Sequence, residues 1–287
     1  MKILPGCIPC ISKQIMKIAR LVYDDINLQM NLMRFGVNFL GSIDWNKSAL
    51  EIVSLLYKEL HEKFGIYDPY KDIKVKSNET MLSLIDSLRG YLKRADDPLR
   101  VALKLSVAGN IIDYGTERTF DAIKTIERVL NTDFYIDDYE ILREKLNRSK
   151  KILMIGDNAG EIVLDKILVE LLRRMGLEVY YMVRAHPVIN DATMEDAIQI
   201  GMDKLAKIVE LDISGVGRGI RYTEIEDYMK SFDIILSKGQ GNFELFSDLK
   251  NENIFFLLMV KCDVISYYIN APIGSSILMS IIRIKQD

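Results

Sequence analysis

The sequence predicts an α/β protein: a mostly helical first half, then a mostly parallel sheet covered on both faces. Two observations carry this. Before residue 150, apolar residues recur at helical spacing and few segments alternate with period two. After it, short apolar runs alternate with helical stretches, which is the pattern of βαβ units. The length agrees, since 287 residues fit about two domains. A hydrophobic fraction of 49% beside 28% charged residues supplies apolar surface for a sizeable core.

The elements follow in order. Met81, Leu84, Ile85, Leu88 and Leu92 fall on one helix face. Phe120, Ile123, Ile126 and Leu130 fall on another. Pro69 and the polar segment 71–78 predict a break between two helical lobes, 1–75 and 76–148. Residues 149–287 are expected to hold the sheet, with strands over 151–155, 179–183, 207–211, 233–236, 254–260 and 277–282. The clearest intervening helix spans 162–175. Its apolar stripe is Leu164, Ile167, Leu168, Leu171 and Leu172, and Gly176 is placed to cap its C-terminus. No fixed-period repeat or low-complexity tract interrupts the chain.

The bulk numbers narrow the function. A net charge of −3 argues against a nucleic-acid partner, yet leaves room for a small anionic substrate met by local lysines. Three cysteines, Cys7, Cys10 and Cys262, do not make a disulfide framework, so a reducing cytoplasm is expected. Pro5, Pro9, Lys13 and Lys17 interrupt the first apolar stretch, so no secretory signal is expected. The strongly apolar run 254–260 is too short to cross a bilayer.

In open α/β sheets, ligands bind beyond the carboxyl ends of the strands. Asp157-Asn158 follows the first expected strand. Arg184, His186 and Asn190-Asp191 follow the second. Asp212 and a glycine-rich turn, 214–219, follow the third. Lys238-Gly239-Gln240-Gly241-Asn242 follows the fourth, and Lys261-Cys262-Asp263 the fifth. Asp157, Asn158 and Asp191 offer hard oxygen donors, which suit Mg²⁺ or Mn²⁺ with water completing an octahedron. A metal would also offset the repulsion between two close carboxylates. Lys238 and Lys261 would then face an anion held there. The Gly239-Gln240-Gly241 turn and a helix starting near Gly160 would add backbone N–H groups. A metal, two lysines and exposed amides together point to phosphate. Each feature alone has a plainer reading: Asp-Asn caps helices, and surface lysines are usually just solvated. The ordered set on consecutive strand ends favours the metal.

The stretch Gly156-Asp157-Asn158-Ala159-Gly160-Glu161-Ile162-Val163-Leu164-Asp165-Lys166 resembles the signature of the DUF89 family of metal-dependent damage-control phosphatases. Further motifs resemble that family in its order. They are Ala108-Gly109-Asn110-Ile111-Ile112-Asp113-Tyr114-Gly115, Val188-Ile189-Asn190-Asp191-Ala192-Thr193, Ser237 to Glu244, and Lys261-Cys262-Asp263. Cys7-Ile8-Pro9-Cys10 resembles the family's small microbial branch. The resemblance spans essentially the whole chain. It implies a C-terminal three-layer α/β/α sandwich behind helical N-terminal domains, and hydrolysis of phosphomonoesters such as sugar phosphates or damaged phosphometabolites. It also implies a divalent ion (Mn, Ni, Co or Mg) on Asp157, Asn158 and Asp191, with phosphate on Lys238. Other branches carry an arginine in the motif that here ends Asn242-Phe243-Glu244, so their substrate contacts do not transfer.

Other residues stay open at this level. Asn110 and Asp113 either end a helix or bind substrate hydroxyls, and the resemblance favours binding. Glu161 is either a base behind the metal ligands or a first-turn acid favoured by the helix dipole. Cys7 and Cys10 form a single CxxC, too few ligands for a zinc site. Redox chemistry there lacks a thioredoxin-like context, so a packing or helix-start role is expected. His186 lies near the rim and Arg218 in a loop. The 215–219 glycines lack the dinucleotide spacing. The spacing is compatible with attack by water or by Asp157. Two rival functions are an S-adenosylmethionine-dependent carboxyl methyltransferase and a non-catalytic phosphometabolite-binding protein. The first turn carries Asp-Asn where a methyl-donor site usually carries glycines, which weighs against the methyltransferase. The intact Asp157, Asn158 and Asp191 set weighs against simple binding.

Overall fold

The computed structural model describes residues 1–109 and 119–285. Six helices come first: α1 (Cys7–Val22), α2 (Ile26–Gly41), α3 (Ala49–Phe64), α4 (Lys71–Lys93), α5 (Pro98–Ala108) and α6 (Thr119–Leu130). A two-residue strand, β1 (Ile136–Asp137), and α7 (Tyr139–Leu146) lead into the alternating part. There follow β2 (Lys151–Ile155), α8 (Glu161–Arg174), β3 (Glu178–Arg184), α9 (Met194–Gln199), β4 (Lys207–Asp212), β5 (Ile220–Arg221) and α10 (Ile225–Met229). Then come β6 (Ile234–Lys238), α11 (Gly239–Phe246), β7 (Ile254–Met259), α12 (Asp263–Ile269) and β8 (Ser276–Ser280), followed by a short 3-10 helix (Ile281–Lys285).

The helix ends follow local chemistry. Ser48 and Glu51 close a capping box at the start of α3. Asp97 caps α5, with Pro98 in its first turn. Gly176 takes φ +92° just past α8, where a side chain would be strained.

The strands form one sheet in the order β1-β8-β7-β6-β2-β3-β4-β5. Neighbours are parallel except β7 and β8, which run antiparallel. All six expected strands are present. The two-residue β1 and β5 leave no periodic trace in the sequence.

The strands are buried on both sides, and alternate residues feed two separate cores. Ile152, Met154, Ile234 and Leu236 join α4, α5 and α8 on one face. Leu153, Ile155, Ile235 and Phe256 join α1, α3 and α11 on the other. The helical first half therefore supplies layers on both sides of the sheet, giving the three-layer sandwich.

The polar segment 71–78 is not a break between lobes but the first two turns of α4. Lys74, Ser77 and Asn78 are buried in it. They are polar because they are paired: Lys74 Nζ lies 2.8 Å from Asp68 and 3.0 Å from Asp196. Asn78 reaches Asp196 and Gln199.

The order of strands sets the site. After β2 the chain lays β3, β4 and β5 outward on one side, then returns to place β6 against the other side of β2. The carboxyl ends of β2 and β6 therefore flank a topological switch point, where such sheets bind ligands.

Candidate metal centre and active site

Beyond Ile155 the chain continues as a strap across the loop that follows β3. Ala192 N–H donates to the Asp157 carbonyl at 2.8 Å, and Ala159 N–H to the Asn190 carbonyl at 2.9 Å. These bonds flank an antiparallel bridge between Asn158 and Asp191. Two segments more than thirty residues apart thus bring Asp157, Asn158 and Asp191 together, as the sequence reading expected. Asp157 and Asp191 are only 8% and 6% exposed. From the β6 side, Gly239 at φ +77° presses on the Asp157 carboxylate. A Cβ there would lie 1.9 Å from Oδ2. Glycine is required at this position by the carboxylate's approach as well as by the backbone dihedral.

Arg184, the last residue of β3, ties the strand ends together. Its Nε donates to Asp191 Oδ2 at 2.7 Å, and a terminal nitrogen donates to Asn242 Oδ1 at 2.7 Å. Asn242 in turn donates to the carbonyls of Gly156 (2.9 Å) and Lys238 (2.7 Å). Burial pushes the Asp191 carboxyl up to about 6; the Arg184 charge opposes this and the Asp157 charge adds to it.

Beneath the carboxylates lies a fully buried ionic layer. Lys238 Nζ donates to Glu161 Oε1, to Asp165 Oδ1 at 2.9 Å and to the Ser106 carbonyl at 3.0 Å. Asp165 also accepts from the hydroxyls of Ser106 (2.5 Å) and Tyr181 (2.6 Å). Burial alone would lower the lysine's pKa, but Asp165 and Glu161 outweigh it and hold the ammonium above its ordinary value. Burial pushes the Glu161 carboxyl up to about 7, with Lys238 opposing and Asp157 and Asp165 adding. The sequence reading aimed the Lys238 ammonium at an anion. The geometry aims it at two carboxylates and a carbonyl, which meet all three of its donors. Glu161 sits at the start of α8, and Asn158 Nδ2 lies 3.4 Å from its Oε2. Asn78 Oδ1 accepts from Gly160 N–H at 2.6 Å, so α4 caps the helix that carries this loop.

Lys261 is exposed at the rim, and its backbone N–H is held by the Gln240 side chain. His186 is buried and meets His61 and Tyr67 in a ring cluster with centroids 5.0–5.8 Å apart. Asp212 caps the turn at Gly215 at 2.8 Å. Arg218 is exposed. Asn110 and Asp113 lie outside the described residues. Sequence reasoning gave no role to Arg184, Asp165, Asn242, Lys74 or Asn78. For Arg184, Asp165 and Asn242 the available signal was a charged or amide side chain in or beside an apolar run; Lys74 and Asn78, in the polar segment 71–78, gave none.

The donor set suits a hard divalent ion. Among the described residues, Asp157 Oδ1 and Asp191 Oδ1 carry no hydrogen bond, while their Oδ2 atoms are engaged. No group of three or more His, Cys, Asp or Glu side chains forms a closed cage among the described residues. Two carboxylates and one amide leave positions for water or substrate, as Mg²⁺-like ions prefer.

A doubly covered, mostly parallel sheet with paired aspartates at its switch point defines an α/β/α protein. Residues 3–277 match the model of the damage-control phosphatase ARMT1-like domain, and the chain belongs to that family. A damage-control phosphatase of Pyrococcus horikoshii is 33% identical over 97% of this chain and 98% of its own. One from Archaeoglobus fulgidus is 31% identical over 96% and 98%. An uncharacterized protein of Methanocaldococcus jannaschii is 31% identical over 97% and 95%. The crystal structure of a DUF89 family protein from Pyrococcus horikoshii superposes with a TM-score of 0.87 at 30% identity, covering 98% of this chain and 99% of that one.

Proposed function

We propose that the protein is a metal-dependent phosphatase that hydrolyses small phosphomonoesters, among them sugar phosphates and damaged phosphometabolites. The observation that carries this reading is the strap that sets Asp157 and Asp191 side by side at the switch point. Family membership and the relatives named damage-control phosphatase support it. Asp157, Asn158 and Asp191 are assigned to a divalent ion, Mn, Ni, Co or Mg. Such an ion would offset the paired charges and supply Lewis acidity toward a phosphoryl oxygen.

The chain's own residues do the rest. Arg184 holds Asp191 in place through one carboxylate oxygen and leaves the other for the ion. Glu161 keeps Asn158 oriented from below. Lys238 neutralises Glu161 and Asp165, so that the floor of the site stays ordered. The family's phosphate role for Lys238 would require its ammonium to leave one of its three acceptors. Lys261, exposed on the rim, is assigned to the phosphate. Asn110 and Asp113 are assigned to substrate hydroxyls on the family resemblance alone. A cytoplasmic location, with no nucleic-acid or membrane partner, remains part of the proposal. Among the described residues no helix is long and apolar enough to cross a membrane.

The test is hydrolysis of an aryl phosphate with and without Mn²⁺, Co²⁺, Ni²⁺ or Mg²⁺, beside calorimetric titration of the same ions. Metal-stimulated turnover that Asp157→Asn abolishes, together with weakened binding, is expected. Turnover that neither responds to metal nor depends on Asp157 would sink the proposal.

A further inference from the structure

We propose that the groove between the C-terminal halves of α4 and α8 binds an organic diphosphate, at a second ligand site remote from Asp157 and Asp191. The two helices run side by side in the same direction. Asn78 of α4 caps Gly160 at the start of α8, and further along Arg89 of α4 meets Glu170 of α8. Both helices therefore lead away from the paired aspartates. The rise per residue from Glu161 to Arg174 puts the far end of α8 roughly 20 Å from its start.

At that far end two cavities adjoin. Arg89, Lys93, Arg173 and Arg174 line one of about 600 Å³, together with Asp86 and Glu170. The other, of about 190 Å³, shares Lys93 and Arg174 with it and adds an apolar wall of Leu92, Pro98, Ile167 and Leu171. The shared residues make them one groove, with a basic part and an apolar part joined at Lys93 and Arg174. Its size falls in the range of small-molecule sites.

The two acids of the groove are already engaged. Arg89 donates to both oxygens of Glu170, at 3.1 and 2.5 Å, and to Asp86 at 2.9 Å. Among the described residues, no carboxylate lies within ion-pair distance of Lys93, Arg173 or Arg174. Arg173 donates instead to the Lys204 carbonyl, at 3.2 Å. Burial lowers the pKa of the nearby Lys166 ammonium; Glu170 opposes this, and Arg89 and Lys204 lower it further. Uncompensated positive charge thus collects here in a chain whose net charge is −3.

A basic last turn answers a helix dipole. Arg173 and Arg174 end α8 as Lys93 ends α4. The dipole explains why each residue is basic. It does not explain why cations from two helices surround one groove beside a half-buried apolar wall. Cations gathered this closely call for negative charges that are equally close. Guanidinium groups pair with phosphate oxygens at two points, and lysine adds a point charge. The adjacent phosphates of a diphosphate supply those charges within one small molecule, and the apolar wall takes a flat organic group. An acidic peptide spaces its carboxylates along an extended chain, which matches this compact cluster less well.

The test titrates ADP into the full-length protein by calorimetry. EDTA is present, so that no ion at Asp157 and Asp191 can hold the phosphates. One ADP should bind per chain, and the double variant Lys93→Ser, Arg174→Ser should weaken it by at least about 10-fold. Adenosine and pyrophosphate should each bind more weakly than ADP, since each offers only part of the contacts. The double variant should keep the parent's Mn²⁺ binding, so the outcome does not depend on whether the protein is a phosphatase. The proposal is overturned if ADP does not bind, or if the double variant binds it within three-fold of the parent. Pyrophosphate that binds as tightly as ADP overturns it too, because the apolar wall then has no part. Oligoglutamate that binds more tightly than ADP overturns it by assigning the groove to an acidic peptide.

Discussion

Replacing Gly239 with alanine should separate the carboxylate cradle from the fold around it. A Cβ at 239 would sit 1.9 Å from Asp157 Oδ2, 2.2 Å from Cγ and 2.7 Å from Oδ1. Ordinary contact begins at 3.4 Å, so the Asp157 carboxylate must retreat by about 1.5 Å. The φ of +77° adds about 1–2 kcal/mol for a residue with a Cβ. That cost lowers the melting temperature by roughly 2–8 °C in a chain of this size. A misplacement of about 1 Å in a reacting constellation costs on the order of 100-fold in rate. The expected outcome is thus a folded protein that melts slightly early and hydrolyses an aryl phosphate at least about 100-fold more slowly, with weaker Mn²⁺ binding by calorimetry. If Gly239→Ala keeps turnover within three-fold and binds Mn²⁺ unchanged, Asp157 has no role in holding a metal.

Other perturbations test the surrounding layer. Lys238→Met leaves Glu161 and Asp165 buried without their cation and should cost about 3–5 kcal/mol in urea unfolding. A lysine that only met substrate would lose activity without that loss of stability. Arg184→Gln removes the charged donor to Asp191 and should weaken Mn²⁺ binding by roughly 10- to 100-fold in calorimetry, with little change in secondary structure by circular dichroism. Glu244 is partly buried, and burial, opposed by the N-terminal ammonium, pushes its carboxyl up to about 7. An acid whose folded pKa is raised keeps its full stability below the unfolded pKa and loses it as pH rises through the folded value. Glu244→Gln should therefore match the parent near pH 4 and exceed it by about 2 kcal/mol at pH 8, after discounting for partial exposure. Equal urea midpoints at pH 8 would contradict the raised pKa.

Much of the sheet was legible because its strands are buried on both faces and read as short apolar runs. β1 and β5 were not, because two residues carry no period. The start of α4 was misread as a boundary for a related reason. Hydropathy marks Lys74 and Asn78 as exposed, and their burial is made tolerable by Asp68 and Asp196 for Lys74 and by Asp196, Gln199 and the Gly160 N–H for Asn78, most of them distant in sequence. The same blindness explains the site. That Asp157, Asn158 and Asp191 come together could be expected because all three follow strand ends, which converge on one rim. The partners of Lys238 could not, since Glu161 and Asp165 stand 77 and 73 residues from it. Spacing along one strand end says nothing about which acceptors a neighbouring helix will bring to it.

The order of layers along the chain has a consequence for biosynthesis. α1–α3 and α4–α7 cover opposite faces of a sheet whose central strand, β2, begins only at Lys151. About half the polypeptide leaves the ribosome before the surface it must cover exists. Its apolar stripes then have only each other to associate with, and most of their native partners are distant in sequence. Such a topology folds slowly, and its early fragments are prone to aggregate. The helices α1 to α7 are thus made before most of the sheet they cover.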